Sequence, residues 1–266
     1  MKYWTKGYRS NGPSRPVIEP PRSARVREAN SAPPLQEART SLTTLPYDII
    51  TFDCYGTLID WNGGITAAFQ EAARVDGINL DSDAIMAAYH DIEPAVEEQD
   101  YRPYREVLKE VAVRGAARLG WPLDANRSGF LAESLGDWTP FPDTNPMLER
   151  LRESGYQLGI LSNIDEDLFA RTRRHFTVQF DLLVTAERVR SYKPGHTHFL
   201  TAKEEIGDRR WLHAARSYFH DVVPARALGV PVVWVNREHS KPLGPERPDA
   251  EVENLEGLVE WLDRAV

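Results

Sequence analysis

The sequence predicts an α/β protein: a doubly wound parallel sheet with a block of helices inserted after its first strand. Three observations carry this. The apolar run Tyr47–Thr51 continues into Phe52-Asp53 and breaks at Gly56, as a buried strand delivering a carboxylate to a loop would. Residues 61–138 show helical periodicity and almost no strand signal. From Met147 onward short apolar runs alternate with helical segments, which implies parallel strands joined by right-handed crossovers.

Each element has its own signature. The first strand is Ile49–Asp53. In the helical block, Ile65-Ala68-Phe69-Ala72, Ile85-Ala88-Tyr89-Ile92 and Val107-Leu108-Val111 follow i, i+3, i+4 spacing. Asp81 and Asp124 suit N-caps. Met147–Ser154 reads as a helix closed by Gly155. Then follow strand Tyr156–Ser162, helix Asp165–Phe176, strand Phe180–Thr185, helix His198–Ile206 and strand Trp211–Ser217. Helix Val222–Leu228, closed by Gly229, strand Val230–Asn236 and helix Leu255–Ala265 complete the chain.

The bulk properties bound the function. The chain has 266 residues, 41% hydrophobic and 27% charged, ordinary for a globular protein. No apolar run reaches the roughly 20 residues that span a bilayer, and the N-terminus lacks the apolar core of a secretory signal. With Cys54 the sole cysteine, no internal disulfide forms, and a cytoplasmic location is expected. Residues 1–45 hold six prolines, eight Lys/Arg and three Glu, a net +5, and are expected to be a disordered extension. Their Arg-rich composition also fits a transit peptide, although the prolines argue against an amphipathic helix. Against a total of -8, the remainder then carries -13, a poor partner for nucleic acid or an anionic membrane. An anionic substrate would need locally placed donors.

Four loop positions follow four strands: Asp53, Ser162-Asn163, Lys193 in Ser191-Tyr192-Lys193-Pro194, and Asp221 in Ser217-Tyr218-Phe219-His220-Asp221. In a doubly wound sheet these loops share one edge and converge. A nucleophilic carboxylate, a hydroxyl/amide pair, a lysine and a second carboxylate then surround one small volume.

The order Asp53-x-x-x-Thr57, Ser162-Asn163, Lys193-Pro194, Asp221 resembles the haloacid dehalogenase superfamily over about residues 47–237. Tyr192-Lys193-Pro194 and Trp234-Val235-Asn236-Arg237 resemble the L-2-haloacid dehalogenase branch. The resemblance implies a Rossmann-like core over 46–60 and 140–266 and a helical cap over 61–139. It implies a catalytic set of Asp53, Thr57, Ser162, Asn163, Lys193 and Asp221. The substrate would meet Cys54, Tyr55, His90, Ser217, Tyr218, His220 and Phe199. It also implies a small anionic substrate, no cofactor, and a possible homodimer.

Departures separate the branches. Phosphatases of the superfamily carry a second Asp two residues after the first, to protonate the leaving alcohol; Tyr55 stands there. One of their magnesium-binding acids stands five residues before the place of Asp221; Arg216 stands there, and a guanidinium cannot ligate a hard cation. Halide displacement needs neither group. The dehalogenases, however, receive halide on an Arg of the first long cap helix, where His90 stands here, a weaker acceptor. Tyr218 and His220 likewise replace an Asn and a Trp, and Phe199 a Tyr.

The implied scheme is attack of Asp53 on C2 of a small (S)-2-haloacid, an ester intermediate, and hydrolysis to the (R)-2-hydroxy acid. Lys193 would keep Asp53 ionised, Asp221 would pair with Lys193, and Asn163 and His90 would face the halide. The Cys54 and Tyr55 amides would take a carboxylate or oxyanion. Blander readings stand beside these: Asp53 as a helix cap, Lys193 and Asp221 as a structural pair, Ser162-Asn163 as capping residues, His90 as a half-buried helix residue. His196 and His198, two apart, do not share a helix face and make no metal pair. Tyr101–Arg105 reads as a cap loop rather than a nucleic-acid patch. Competing functions are a Mg2+-dependent phosphatase, a hydrolase opening a small cyclic carboxylate such as azetidine-2-carboxylate, and a non-catalytic binding protein.

Overall fold

The computed structural model describes residues 45–265, so the expected extension over 1–45 lies, but for Leu45, outside the described residues. Strand β1 (Ile49–Phe52) is buried along its whole length, which explains its unbroken apolar run. Helices α1 (Trp61–Arg74), α2 (Ser82–Glu97), α3 (Tyr104–Arg118) and α4 (Phe130–Ser134) follow before the next strand. The Asp60 side chain caps α1 by accepting from the Gly63 amide, and Asp81 caps α2 through the Ala84 amide, as its position predicts. Asp124 caps a single 3-10 turn. Gly64 lets α1 settle on Trp138, since a Cβ there would come 2.3 Å from the indole. The α1 face Ile65, Ala68, Phe69, Ala73 and the α3 face Val107, Leu108, Val111, Ala112 close over Trp121 and Leu131. Each large side chain so buried contributes about 1.5–3 kcal/mol.

The chain then alternates. Helix α5 (Thr144–Glu153), strand β2 (Gln157–Ser162), helix α6 (Glu166–Thr172) and strand β3 (Leu182–Thr185) come first. Helix α7 (Ala186–Val189), helix α8 (Thr197–Ile206), strand β4 (Trp211–Ala215), helix α9 (Val223–Ala227), strand β5 (Val232–Val235), strand β6 (Ala250–Val252) and helix α10 (Leu255–Asp263) complete it. The sheet is parallel, in the order β3-β2-β1-β4-β5-β6. This is the doubly wound dinucleotide-type order, in which ligands bind beyond the carboxyl ends of the strands where the order reverses. Phe52 of β1 lies level with Ile160 of β2 and Ala214 of β4. Asp53 therefore emerges between the exits of the two neighbouring strands.

Three differences from the expected elements have simple causes. Strand β6 is a three-residue edge strand with an exposed Glu251, too short and polar to show periodicity. The helix expected at Val222 starts earlier, as a wide π-type turn over Tyr218–Val222 that Ser217 caps. Short α7 was not separable from the strand before it, because Thr185 both ends β3 and caps the helix. No helix among the described residues is long and apolar enough to cross a membrane.

Candidate active site

The four strand-end loops do converge. Lys193 is 1% exposed, and its ammonium donates to three acceptors: Asp53 Oδ1 at 3.0 Å, Asp221 Oδ1 at 2.6 Å and the Leu161 carbonyl at 2.8 Å. Asp53 Oδ2 accepts from the Thr57 hydroxyl at 2.9 Å, and Thr57 Oγ1 in turn accepts from the Arg216 amide at 2.9 Å. Thr57 is itself held by Arg237, whose guanidinium donates to the Thr57 carbonyl and pairs with Asp143 at 2.9 Å. Neither the Cys54 nor the Tyr55 amide donates to a protein acceptor among the described residues.

Charge is unevenly held among these groups. Burial raises the pKa of Asp53, with Lys193 and Thr57 pulling against it. Burial also opposes the charge on Lys193, but Asp221 and Asp53 together outweigh it and hold the ammonium above the usual lysine range. Asp221 is buried too, yet Lys193 and His213 lower its pKa to about 2. Of the two carboxylates, Asp53 takes up a proton first as pH falls.

His213 was not singled out in the sequence. Its Nε2 lies 3.0 Å from Asp221 Oδ1, and its Nδ1 lies 2.8 Å from Thr51 Oγ1. A carboxylate only accepts, so Nε2 carries the hydrogen; in the neutral ring Nδ1 then accepts from Thr51, which itself accepts from the Trp211 indole at 2.7 Å. Asp221 Oδ2 has no hydrogen-bond partner among the described residues. The signal was present: Trp211 and His213 alternate on one face of β4.

A cavity of about 430 Å³ opens over Asp53. Ser162, Asn163, Lys193 and Asp221 line it from the sheet edge, and Trp61, His90, Glu93 and Glu97 from α1 and α2. Asn163 uses its amide on the Lys193 main chain, with Nδ2 also 3.5 Å from Glu97 Oε2. It steadies the lysine rather than facing the cavity with its whole amide. Ser162 is buried and lines the cavity; its carbonyl lies 3.2 Å from His198 Nε2. Ser217 Oγ accepts from the His220 amide at 3.0 Å and lies 3.1 Å from its Nδ1. Burial pushes the His220 pKa down to about 4, so the ring on the cavity wall is neutral at neutral pH.

His90 lines the cavity and stacks on Trp61, with ring centroids 5.7 Å apart. Burial and the nearby Arg216 lower its pKa. Arg216, considered from sequence only as a residue that cannot bind metal, also lines the cavity. It lies over the Trp61 ring and pairs with Glu238. Tyr55 and Tyr218 reach the wall, but their hydroxyls turn away, to Thr172 at 2.8 Å and to the Glu246 carbonyl at 2.7 Å. The Cys54 side chain is sealed in the core, as strand alternation predicts.

Phe199 requires correction. It is 1% exposed and packs edge-on against His213, with ring centroids 5.1 Å apart, in the core beneath α8. It does not line the cavity, because its helix position faces the sheet. Missed from sequence were Glu93 and Glu97, which continue the buried stripe Ile85, Tyr89 of α2 at four-residue steps. The side chains fit a magnesium site poorly: Arg216 occupies a place where a ligating acid would be needed. No group of three or more His, Cys, Asp or Glu among the described residues is arranged to hold a metal ion.

Residues 47–217 match the family described as haloacid dehalogenase-like hydrolase. The chain is 27% identical to the (S)-2-haloacid dehalogenase H-109 of Pseudomonas putida over 237 residues, 82% of this chain and 98% of that protein. It is 27% identical to the glyceraldehyde 3-phosphate phosphatase of Methanothermobacter thermautotrophicus over 230 residues, 79% of this chain and 93% of that one. Its fold is similar to that of the L-2-haloacid dehalogenase of Xanthobacter autotrophicus solved with chloropropionic acid covalently bound. The TM-score is 0.69 at 20% identity, covering 83% of this chain and 99% of that one.

Proposed function

The chain belongs to the haloacid dehalogenase-like hydrolases, and we propose from that premise that it hydrolyses small (S)-2-haloacids to (R)-2-hydroxy acids without a metal ion. One observation carries the reading: Lys193 binds both Asp53 and Asp221, which sets a fixed positive charge against the nucleophile and the second carboxylate.

Asp53 attacks C2 in line with the C–X bond, whose electron pair leaves with the halide. An ester joins the Asp53 carboxyl to C2. Water then adds to the ester carbonyl carbon of Asp53, and collapse releases the hydroxy acid, with inversion at C2, and restores the carboxylate. Lys193 and Thr57 stabilise the oxyanion of that second step, together with the Cys54 and Tyr55 amides. Asp221 Oδ2, which has no partner among the described residues, accepts from the attacking water. Ser162 binds the substrate carboxylate. Halide leaves towards His90 and Arg216, the latter a cation brought by the loop after β4 instead of by the cap.

Tyr55 and Arg216 weigh against the phosphatase reading, since neither supplies a proton donor for an alkoxide or a ligand for magnesium. The division into a core over 46–60 and 140–266 and a cap over 61–139 accords with this scheme: one part carries the nucleophile and the other closes the cavity. A cytoplasmic location and a homodimer belong to the same reading.

Incubation with (S)-2-chloropropionate should release chloride at the same rate with and without EDTA. A single turnover in heavy-oxygen water should place label in the peptide containing Asp53. Absence of chloride release, or label found only in the product, counts against the scheme.

A further inference from the structure

Helix α2 brings two carboxyls into the cavity that no Lys or Arg among the described residues pairs with. Glu93 and Glu97 lie one turn apart, line the cavity that opens over Asp53, and are 8% and 9% exposed. Glu93 Oε1 accepts from the Tyr104 hydroxyl at 3.1 Å. Glu97 Oε2 has Asn163 Nδ2 at 3.5 Å and His220 Nε2 at 3.8 Å; Glu97 Oε1 is buried without a hydrogen-bond partner among the described residues. Two of the cations on the cavity wall are engaged elsewhere. Lys193 serves Asp53 and Asp221, and Arg216 serves Glu238. Lys241 is exposed and makes no salt bridge among the described residues.

A buried carboxyl oxygen without a donor is costly. Burial raises both groups, Glu93 to about 7 and Glu97 well above the usual carboxylate range, with Glu93 adding to the latter shift. That cost falls where a ligand binds, in a wall that otherwise presents Asp53, Asp221 and Glu238 to an acid substrate.

We propose that Glu93 and Glu97 form a receptor for the ammonium group of a zwitterionic substrate, a small 2-substituted carboxylate with a primary amine at its far end. The proposal rests on the dehalogenase reading only for what happens at C2. An ammonium has three N–H donors, enough for Glu97 Oε1 and an oxygen of Glu93 with one to spare. The carboxylate end meets Ser162, as in the dehalogenase scheme. The substrate's ammonium thereby supplies the donors and the positive charge that the cavity wall does not give these two carboxyls.

The test compares 4-amino-2-chlorobutanoate with 2-chloropentanoate, its isostere with a methyl in place of the ammonium. Wild-type kcat/KM for halide release should favour the ammonium compound by about tenfold or more. Glu97→Gln and Glu93→Gln, each verified as folded by thermal melting, should bring that ratio towards unity. Equal kcat/KM for the two compounds in the wild type, or a preference unmoved in both variants, overturns the proposal. Calorimetric titration with 4-amino-2-hydroxybutanoate and 2-hydroxypentanoate reads the same preference without chemistry. If neither chloro acid releases halide, the dehalogenase reading fails. Binding of the amino compound at least about tenfold more tightly, and lost in Glu97→Gln, then still upholds the receptor. Equal affinities overturn it.

Discussion

Asn163 grips the main chain of Lys193 at both of its polar groups: Oδ1 accepts from the Lys193 amide at 2.8 Å, and Nδ2 donates to the Lys193 carbonyl at 3.0 Å. This places the loop after β2 in charge of the loop after β3. The ammonium reaches three acceptors at once only if its main chain is held still.

Asn163→Ala should therefore act through the lysine. We expect kcat to fall roughly 10- to 100-fold, with a smaller change in KM, because a misplaced charge is felt mainly as the oxyanion develops. Asn163→Asp keeps one of the two bonds and should lose less. Steady-state kinetics of both variants check this.

Lys193→Met should be damaging in two ways. It leaves Asp53 and Asp221 buried without their cation, at a cost of about 3–5 kcal/mol. It also removes oxyanion stabilisation, so activity should drop by about a thousandfold. Adding Asp221→Asn should recover part of the stability in urea unfolding, but none of the activity.

The acid limb of the rate profile belongs to Asp53. Attack needs the carboxylate, and burial has raised this pKa, so kcat/KM should fall as pH is lowered through a value above the usual aspartate range. Asp221, at about 2, stays ionised throughout that fall. Thr57 bonds the ionised form, so Thr57→Val should move the limb to higher pH and lower the plateau by about tenfold. A kcat/KM series from acid to neutral pH measures both effects.

Glu93 makes stability depend on pH in the opposite sense. Its pKa is about 7 in the fold and ordinary in the unfolded chain, so between the two the folded state holds the extra proton. The contribution is complete below the unfolded value and is lost as pH rises through 7. Glu93→Gln should remove that loss. The variant should gain on the order of 2 to 3 kcal/mol over wild type at pH 8. At pH 5 the gain should nearly vanish, as read from urea unfolding at the two pH values.

Much of this site is legible in the sequence because chemistry sits at strand ends. Asp53, Ser162, Lys193 and Asp221 each follow an apolar run, and the parallel order brings those ends together whatever the loops do. Facing is less legible. Phe199 has the right spacing for the cavity, but α8 turns it towards His213 and the sheet. Glu93 and Glu97 are hidden for the converse reason: a charged residue on a helix is ordinarily solvated, and only the packing of α2 reveals that this stripe is buried. His213 lies in mid-strand, where polar groups are usually satisfied core residues, and its link to Asp221 depends on the turn after β4.

The sealing of Cys54 has a practical corollary. It is the chain's sole thiol, it is fully buried, and desolvation with the neighbouring Asp53 charge keeps it protonated. Alkylating reagents should find nothing to modify in the native enzyme, and hydrogen peroxide should leave turnover intact. Ellman's reagent added during a denaturation series should then colour only molecules that have opened around β1, which makes position 54 an intrinsic, label-free gauge of when the nucleophile's own strand comes apart.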